Sequence, residues 1–136
     1  MIQPFKIQVR FSDLDVLGHV NNTIHLSYFE MARIHYFKEL LGQNWDWHSF
    51  GMVLVKNEVE YLKSILLFDE PEVIIFTEHI GTKSFTIGYE IFVRNEIYIK
   101  GHSVQVSYDA KTQKTIEIPQ TMRSALEQMI RVESTI

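Results

Sequence analysis

The chain contains no cysteine. Disulfides, thiolate zinc sites and cysteine nucleophiles are excluded at the outset, and a reducing compartment is expected. Nor does any apolar run approach the ~20 residues that a bilayer-spanning helix requires. The opening MIQPFKIQVRF lacks the basic-then-apolar layout of a secretory leader. Repeats, linkers and low-complexity tracts are absent as well. A surplus of positive charge is also missing: 13 Lys and Arg against 17 Asp and Glu leave a net charge of −4 and a pI near 5.8. That balance argues against broad nucleic-acid binding, although a local basic patch that grips one phosphorylated ligand is compatible with it. A cytoplasmic chain with no membrane span and no nucleic-acid partner is expected.

What is there is apolar and regularly patterned. Hydrophobic residues make up 46% and charged residues 22% of 136 positions, which suits one folded domain over residues 1–136. FKIQVRF alternates strictly, with Phe5, Ile7, Val9 and Phe11 on one face, and predicts a half-buried strand. Residues 24–42 carry apolar side chains around almost the whole helical circumference and end at Gly42, a natural C-terminal stop. A helix of that kind is expected to be buried. Four strands are predicted after residue 52, in MVLVKNEVEYLK, EVIIFTEHI, FTIGYEIFVR and IYIKGHSVQVSYD, the last with a bend or bulge at Gly101. TIEIP reads as a short extension. Pro119 opens a final helix with Met122, Ala125, Leu126, Met129 and Ile130 at helical spacing. Successive strands on short connections favour an antiparallel sheet, so the class is α+β, one curved sheet around one long buried central helix.

Between the first strand and that helix lies FSDLDVLGHVNNT, residues 11–23, a dense polar segment in apolar surroundings. Asn21, Asn22 and Thr23 are all good helix-capping types. With the helix that follows, the stretch FSDLDVLGHVNNTIHLSYFEMAR resembles the signature of hotdog-fold acyl-CoA thioesterases of the 4-hydroxybenzoyl-CoA thioesterase type. It is most similar to the subgroup with D-x-D-x-x-G-H-V-N-N followed by E-x-A-R. The matching positions are Asp13, Asp15, Gly18, His19, Val20, Asn21 and Asn22, then Glu30, Ala32 and Arg33.

The chemistry suits these residue types. A thiolate with a pKa near ~8.5 leaves without much assistance. Thioester hydrolysis therefore needs mainly an activated water or a carboxylate nucleophile, together with donors for the oxyanion. The first turn of a helix supplies free N–H groups. The resemblance implies Asp15 as the catalytic carboxylate, nucleophile or general base, and a backbone N–H near Asn22 as the carbonyl-polarising donor. Gly18 lets the backbone turn between them. His19 is either a loop-organising donor or a group that orients water. Plant acyl-ACP thioesterases resemble the same stretch as D-x-N-x-H-V-N-N, but Leu17 stands here where their asparagine would be. Gly18, Val20, Asn21 and Tyr28 are candidate substrate-contacting positions, and Tyr28, Phe29, Met52 and Tyr61 are candidates for closing the acyl pocket.

Competing roles are assigned alongside. Asp13 is expected to organise the loop rather than react, and Glu30 to pair on the buried helix, with a mid-helix catalytic carboxylate as the alternative. His25 and His35 are ten residues apart, not the i, i+4 spacing of helical zinc sites, so neither a metal nor another cofactor is expected. The resemblance implies an acyl-CoA substrate, and a homodimer or homotetramer with the active site at the dimer interface. Two alternatives stay open: a non-catalytic acyl-thioester binding module, and a hotdog hydratase. The hydratases resemble D-x-x-x-x-H, one residue longer than the Asp15 to His19 spacing.

Overall fold

Strand β1 is the first place where local patterning yields to a turn. The structure, a computed structural model, describes residues 2–131. Only Phe5–Lys6 pair as a strand, antiparallel to Val73 and Glu72, although Ile7 and Val9 continue the buried side. The expected alternation stops at Phe11, which is 82% exposed, because the chain tightens into a 3₁₀ turn at Phe11–Asp13.

The long helix, α1, spans Ile24–Leu41. Gly42 ends it at φ +85°, its N–H donating to the carbonyl of Lys38. Burial departs from the expected all-round pattern. His25, Tyr28, Phe29, Ala32, Tyr36 and Phe37 are buried at steps of three and four, whereas Met31 and Ile34 are exposed. Glu30 is exposed too, so its expected place on a buried surface is not found. Within a single chain α1 therefore buries one side only.

Strands β2 (Gly51–Tyr61), β3 (Glu72–Ile80), β4 (Ser84–Val93) and β5 (Glu96–Asp109) follow in succession. With the short β6 (Lys114–Thr115) they form one sheet in the order β1-β3-β4-β5-β2, β6 pairing antiparallel with β5. Phe85, Ile87, Tyr89, Ile91 and Val93 are all buried, as their spacing predicts. In MVLVKNEVEYLK the strand spacing puts Val53, Val55, Val59 and Tyr61 on one face, but that face is not buried: β2 ends the sheet order, and Val53, Leu54, Val55 and Tyr61 are exposed. Arg94 and Asn95 join β4 to β5 with φ of 50° and 64°, the backbone of a two-residue I′ hairpin. The alternation of β5 breaks at Tyr98 and Ile99, which are both buried, rather than at Gly101.

Helix α2 spans Gln120–Gln128. Met122, Ala125, Leu126 and Met129 are buried as predicted and Ile130 is exposed. Thr77 anchors its end, with Oγ1 donating to the Leu126 carbonyl at 2.7 Å and N–H to that of Met129 at 3.0 Å. The chain divides into two compact units. One takes Met1–Tyr36, Val59–Ile75 and Tyr89–Gly101, the other Phe37–Glu58, Phe76–Gly88 and His102–Ile136. In the first, Phe29 stacks on Tyr89 at 4.3 Å and Arg33 donates to the Tyr89 hydroxyl at 2.7 Å, which seats α1 on β4. Among the described residues no helix is long and apolar enough to cross a membrane.

Gly42 has open space where a Cβ would sit, so substitution there strains the backbone alone. Gly42→Ala is expected to cost about 1 kcal/mol in urea unfolding, and Gly42→Asn less. An Ala variant as stable as the wild type would refute this account of the helix end.

Candidate active site

The polar segment forms a doubly anchored loop ahead of α1. Asp13 is 1% exposed and its carboxylate is fully engaged. Oδ2 accepts the Arg10 N–H at 3.0 Å and the Tyr28 hydroxyl at 2.7 Å, and Oδ1 accepts the Arg10 guanidinium at 3.1 Å. Its carbonyl receives the Asn21 N–H at 2.8 Å, which closes the loop on itself. Burial acts to raise the Asp13 pKa, but these hydrogen bonds and the Arg10 charge outweigh it and hold the carboxyl below its ordinary value. The Tyr28 phenol is driven the opposite way, well above the usual range, by burial first and then by donating to that carboxylate.

Asp15 is placed by a second set of bonds. Its Oδ1 accepts the N–H groups of Leu17 at 2.9 Å and His19 at 3.2 Å. Its own N–H and carbonyl bond His19 and Gly18. Among the described residues nothing donates to Oδ2. Gly18 sits at φ +77° with free space around it, so glycine is needed there for the backbone angle and not for room. Val20, 3% exposed, donates to the Ile65 carbonyl at 2.8 Å and ties the loop to the segment after β2.

The approach to the helix is shaped by Asn21, whose Oδ1 accepts both the N–H and the hydroxyl of Thr23 at 3.0 and 2.9 Å. The Asn22 N–H donates to none of the described residues, whereas its carbonyl accepts the Tyr61 hydroxyl at 2.6 Å. His25 Nδ1 makes a longer 3.4 Å contact with the same carbonyl. Burial holds the His25 imidazole below the usual histidine range, although the carbonyls of Asn22 and Asn21 pull it upward. The ring meets that of Tyr61 edge-on at 5.0 Å.

A cleft of about 130 Å³ is lined by Asp15, His19, Val20, Asn22, His25, Tyr61, Leu62, Lys63 and Ser64. Asp15, His19, Val20 and Asn22, four of the candidate positions, thus line one cleft. Gly18, Asn21 and Tyr28 are not among the lining residues: the first shapes the loop, the second caps the turn, and the third is committed to Asp13. Sequence reasoning passed over His25 as a cleft residue. Its position three residues after Asn22, in the first turn of α1, was the available signal. Lys63 and Ser64 arrive by the path of the chain after β2, which no local pattern announces. The Lys63 ammonium bonds Glu96, which raises its pKa.

Known structures share this arrangement of elements. A thioesterase from Thermus thermophilus, complexed with coenzyme A and Zn, superposes with a TM-score of 0.81 at 35% identity over 93% of this chain and 92% of that one. A predicted thioesterase from Bacillus stearothermophilus gives 0.84 at 29% identity over 97% and 100%. The long-chain acyl-CoA thioesterase FadM of Escherichia coli (strain K12) is 28% identical over 131 residues, 93% of this chain and 98% of that protein. Uncharacterized protein YsmA of Bacillus subtilis (strain 168) is 33% identical over 84 residues, 62% of this chain and 56% of its own length. An α+β chain with this sheet and these neighbours is a hotdog-type thioesterase. Residues 9–126 match the model of the thioesterase-like superfamily, and the chain belongs to that family.

Replacing Asp13 tests the loop's anchor. Its folded pKa is depressed, so its stabilisation is complete at neutral pH and is lost as pH falls from the ordinary value of 3.8 through the folded one. Asp13→Asn is expected to cost about 2 kcal/mol at pH 7, the scale of hydrogen bonds to a charged group. Urea unfolding should show that gap narrowing below about pH 4. A gap that stays constant down to pH 3 would show that the charge is not what anchors the loop.

Proposed function

We propose that this chain hydrolyses acyl-CoA thioesters, with Asp15 as the reacting carboxylate and the Asn22 N–H as the donor to the carbonyl oxygen. The observation that carries the proposal is their shared cleft: among the described residues, one Asp15 oxygen is held by two backbone N–H groups and the other is unengaged, while the Asn22 N–H, just ahead of α1, has no acceptor. The unengaged oxygen takes a proton from water as the water attacks the carbonyl carbon, or attacks that carbon itself, giving an anhydride that water then opens. In both routes the C–S bond breaks, CoA leaves as thiolate, and the Asn22 N–H stabilises the charge on oxygen. His19, whose N–H meets Asp15 Oδ1, holds the carboxylate in place and lines the water's approach. The CoA assignment is supported by the names of two relatives, the E. coli long-chain acyl-CoA thioesterase and the T. thermophilus thioesterase bound to coenzyme A. Membership of the 4-hydroxybenzoyl-CoA type rests on the Asp13 to Asn22 motif, and a cytoplasmic location on the absence of cysteine.

The acting species in this proposal is a homodimer or a homotetramer. Support comes from apolar surface that one chain leaves uncovered: Met31 and Ile34 on α1, and Val53, Leu54 and Val55 on a strand that ends the sheet. Such an edge is an aggregation hazard that pairing with a second copy removes.

Two measurements test these statements. Asp15→Asn should lower kcat on acyl-CoAs, followed by thiol release, about 10²–10⁴-fold with little change in melting temperature. Retention of more than about a tenth of the wild-type kcat overturns the assignment and turns attention to Glu30. Light scattering at micromolar concentration should give a dimer or larger for the wild type. Val55→Lys, which places a charge on the exposed edge, should shift it toward monomer; an active wild-type monomer would refute the assembly.

A further inference from the structure

Three hydrogen-bonding groups converge on a single peptide unit, the one joining Asn22 to Thr23. At its carbonyl end the Tyr61 hydroxyl donates at 2.6 Å, with His25 Nδ1 alongside at 3.4 Å. At its amide end the Thr23 N–H is taken by Asn21 Oδ1 at 3.0 Å. Two of these partners are local, within three residues of the peptide. Tyr61 is not: it comes 39 residues later, from the last position of β2. Its hydroxyl bonds backbone although the residue is 46% exposed, and its ring lies edge-on to the buried His25. A half-exposed tyrosine satisfies its hydroxyl with water at no cost, so a short bond to one particular carbonyl indicates a placed group.

We propose that Tyr61 is a positioning residue for catalysis, holding the Asn22–Thr23 peptide so that the preceding N–H, that of Asn22, keeps its aim into the Asp15 cleft. This rests on the thioesterase reading above. The physical reason is preorganisation. An oxyanion donor is effective when its direction is fixed before the charge develops, and Asn22 and Thr23 stand just ahead of α1, where helix ends fray unless held from outside. The Asn22 carbonyl and N–H flank the same Cα, so fixing the carbonyl removes the rotation at ψ of Asn22 that would let the turn unwind. Because Tyr61 stands at the far end of an element, its bond also ties the helix start to β2, and the donor is aimed by the sheet as well as by its own loop.

Tyr61→Phe tests this, since it removes the hydroxyl and keeps the ring against His25. Steady-state CoA release should show kcat down about two- to tenfold, the effect of one uncharged hydrogen bond, with KM unchanged within twofold. A structural role alone would give the same loss on any substrate, so the decisive comparison uses the dithioester analogue of the same acyl-CoA. Its C=S sulfur is a poor acceptor and draws little on the donor. There the variant should approach wild-type kcat. Amide NMR should show the largest shift changes at Asn22 and Thr23. Equal losses on both substrates, or no loss on either, would overturn the proposal. Asp15→Asn assayed in parallel separates the two readings. If it is fully active while the Tyr61 pattern holds, the assigned base is wrong and the clamp stands; if it is inactive and Tyr61→Phe is indifferent, the reverse follows. A wild type that releases CoA from no acyl-CoA overturns both.

Discussion

Burying a carboxylate is costly unless its oxygens are supplied with donors, and Asp13 is almost wholly buried with three of them. Much of the loop's geometry descends from that requirement. The Arg10 N–H reaches Oδ2 only because the chain tightens into a 3₁₀ turn, and that turn is what throws Phe11 out of the core. The Tyr28 hydroxyl reaches the same oxygen from inside α1, so the loop and the helix are locked in one register. The Asn21 N–H then closes on the Asp13 carbonyl, which holds Asp15 inside a short closed loop and Asn22 just past its end. The buried aspartate decides where the proposed reacting one stands.

The start of α1 illustrates how folding and chemistry draw on the same groups. A helix leaves its first N–H groups without partners, and a protein normally fills them with side chains. The two N–H groups just ahead of α1 differ here: Asn21 takes that of Thr23, and among the described residues that of Asn22, beside the Asp15 cleft, has no partner. Capping is complete at Thr23 and incomplete at Asn22, the donor proposed for the substrate oxygen. On the proposed reading, stability forgone at that one donor is kept for developing negative charge.

Much of this was legible in the sequence, for identifiable reasons. The odd-numbered apolar residues of β4 and the Gly42 stop are local signals, and both are found in place. Asp15, His19, Val20 and Asn22 share a cleft because they lie within eight residues of one another in a closed loop. What was not legible depends on partners distant along the chain. Val53 and Val55 form a strand-like stripe, yet whether a stripe is covered depends on where the strand falls in the sheet order, and β2 falls at its end. The apolar circumference of α1 likewise reports what the helix is able to bury, whereas one chain covers only the side of Tyr28, Ala32 and Tyr36. Tyr28 suits a substrate contact by residue type, but its hydroxyl is claimed by an acid fifteen positions earlier. The role of Tyr61 at Asn22 has no local signature at all.

The hairpin at Arg94 and Asn95 carries an arithmetic consequence for how this gene tolerates length change. A two-residue I′ turn sets Val93 opposite Glu96, so odd positions of β4 face even positions of β5. Yet beyond the turn it is the odd positions of β5, from Ile99 through Ser107, that are buried. The consecutive buried pair Tyr98 and Ile99 is where that parity is reset, by one residue of slack. Deleting the codon of either residue removes that slack, so strict pairing with the turn resumes and every later residue of β5 keeps its face. Lys100 and His102 would stay outside, and Ser103, Gln105 and Ser107 inside. A deletion further along, past Ile99, instead turns the rest of the strand by half a period, so loss of one residue should be tolerated at this pair and purged from the remainder of β5.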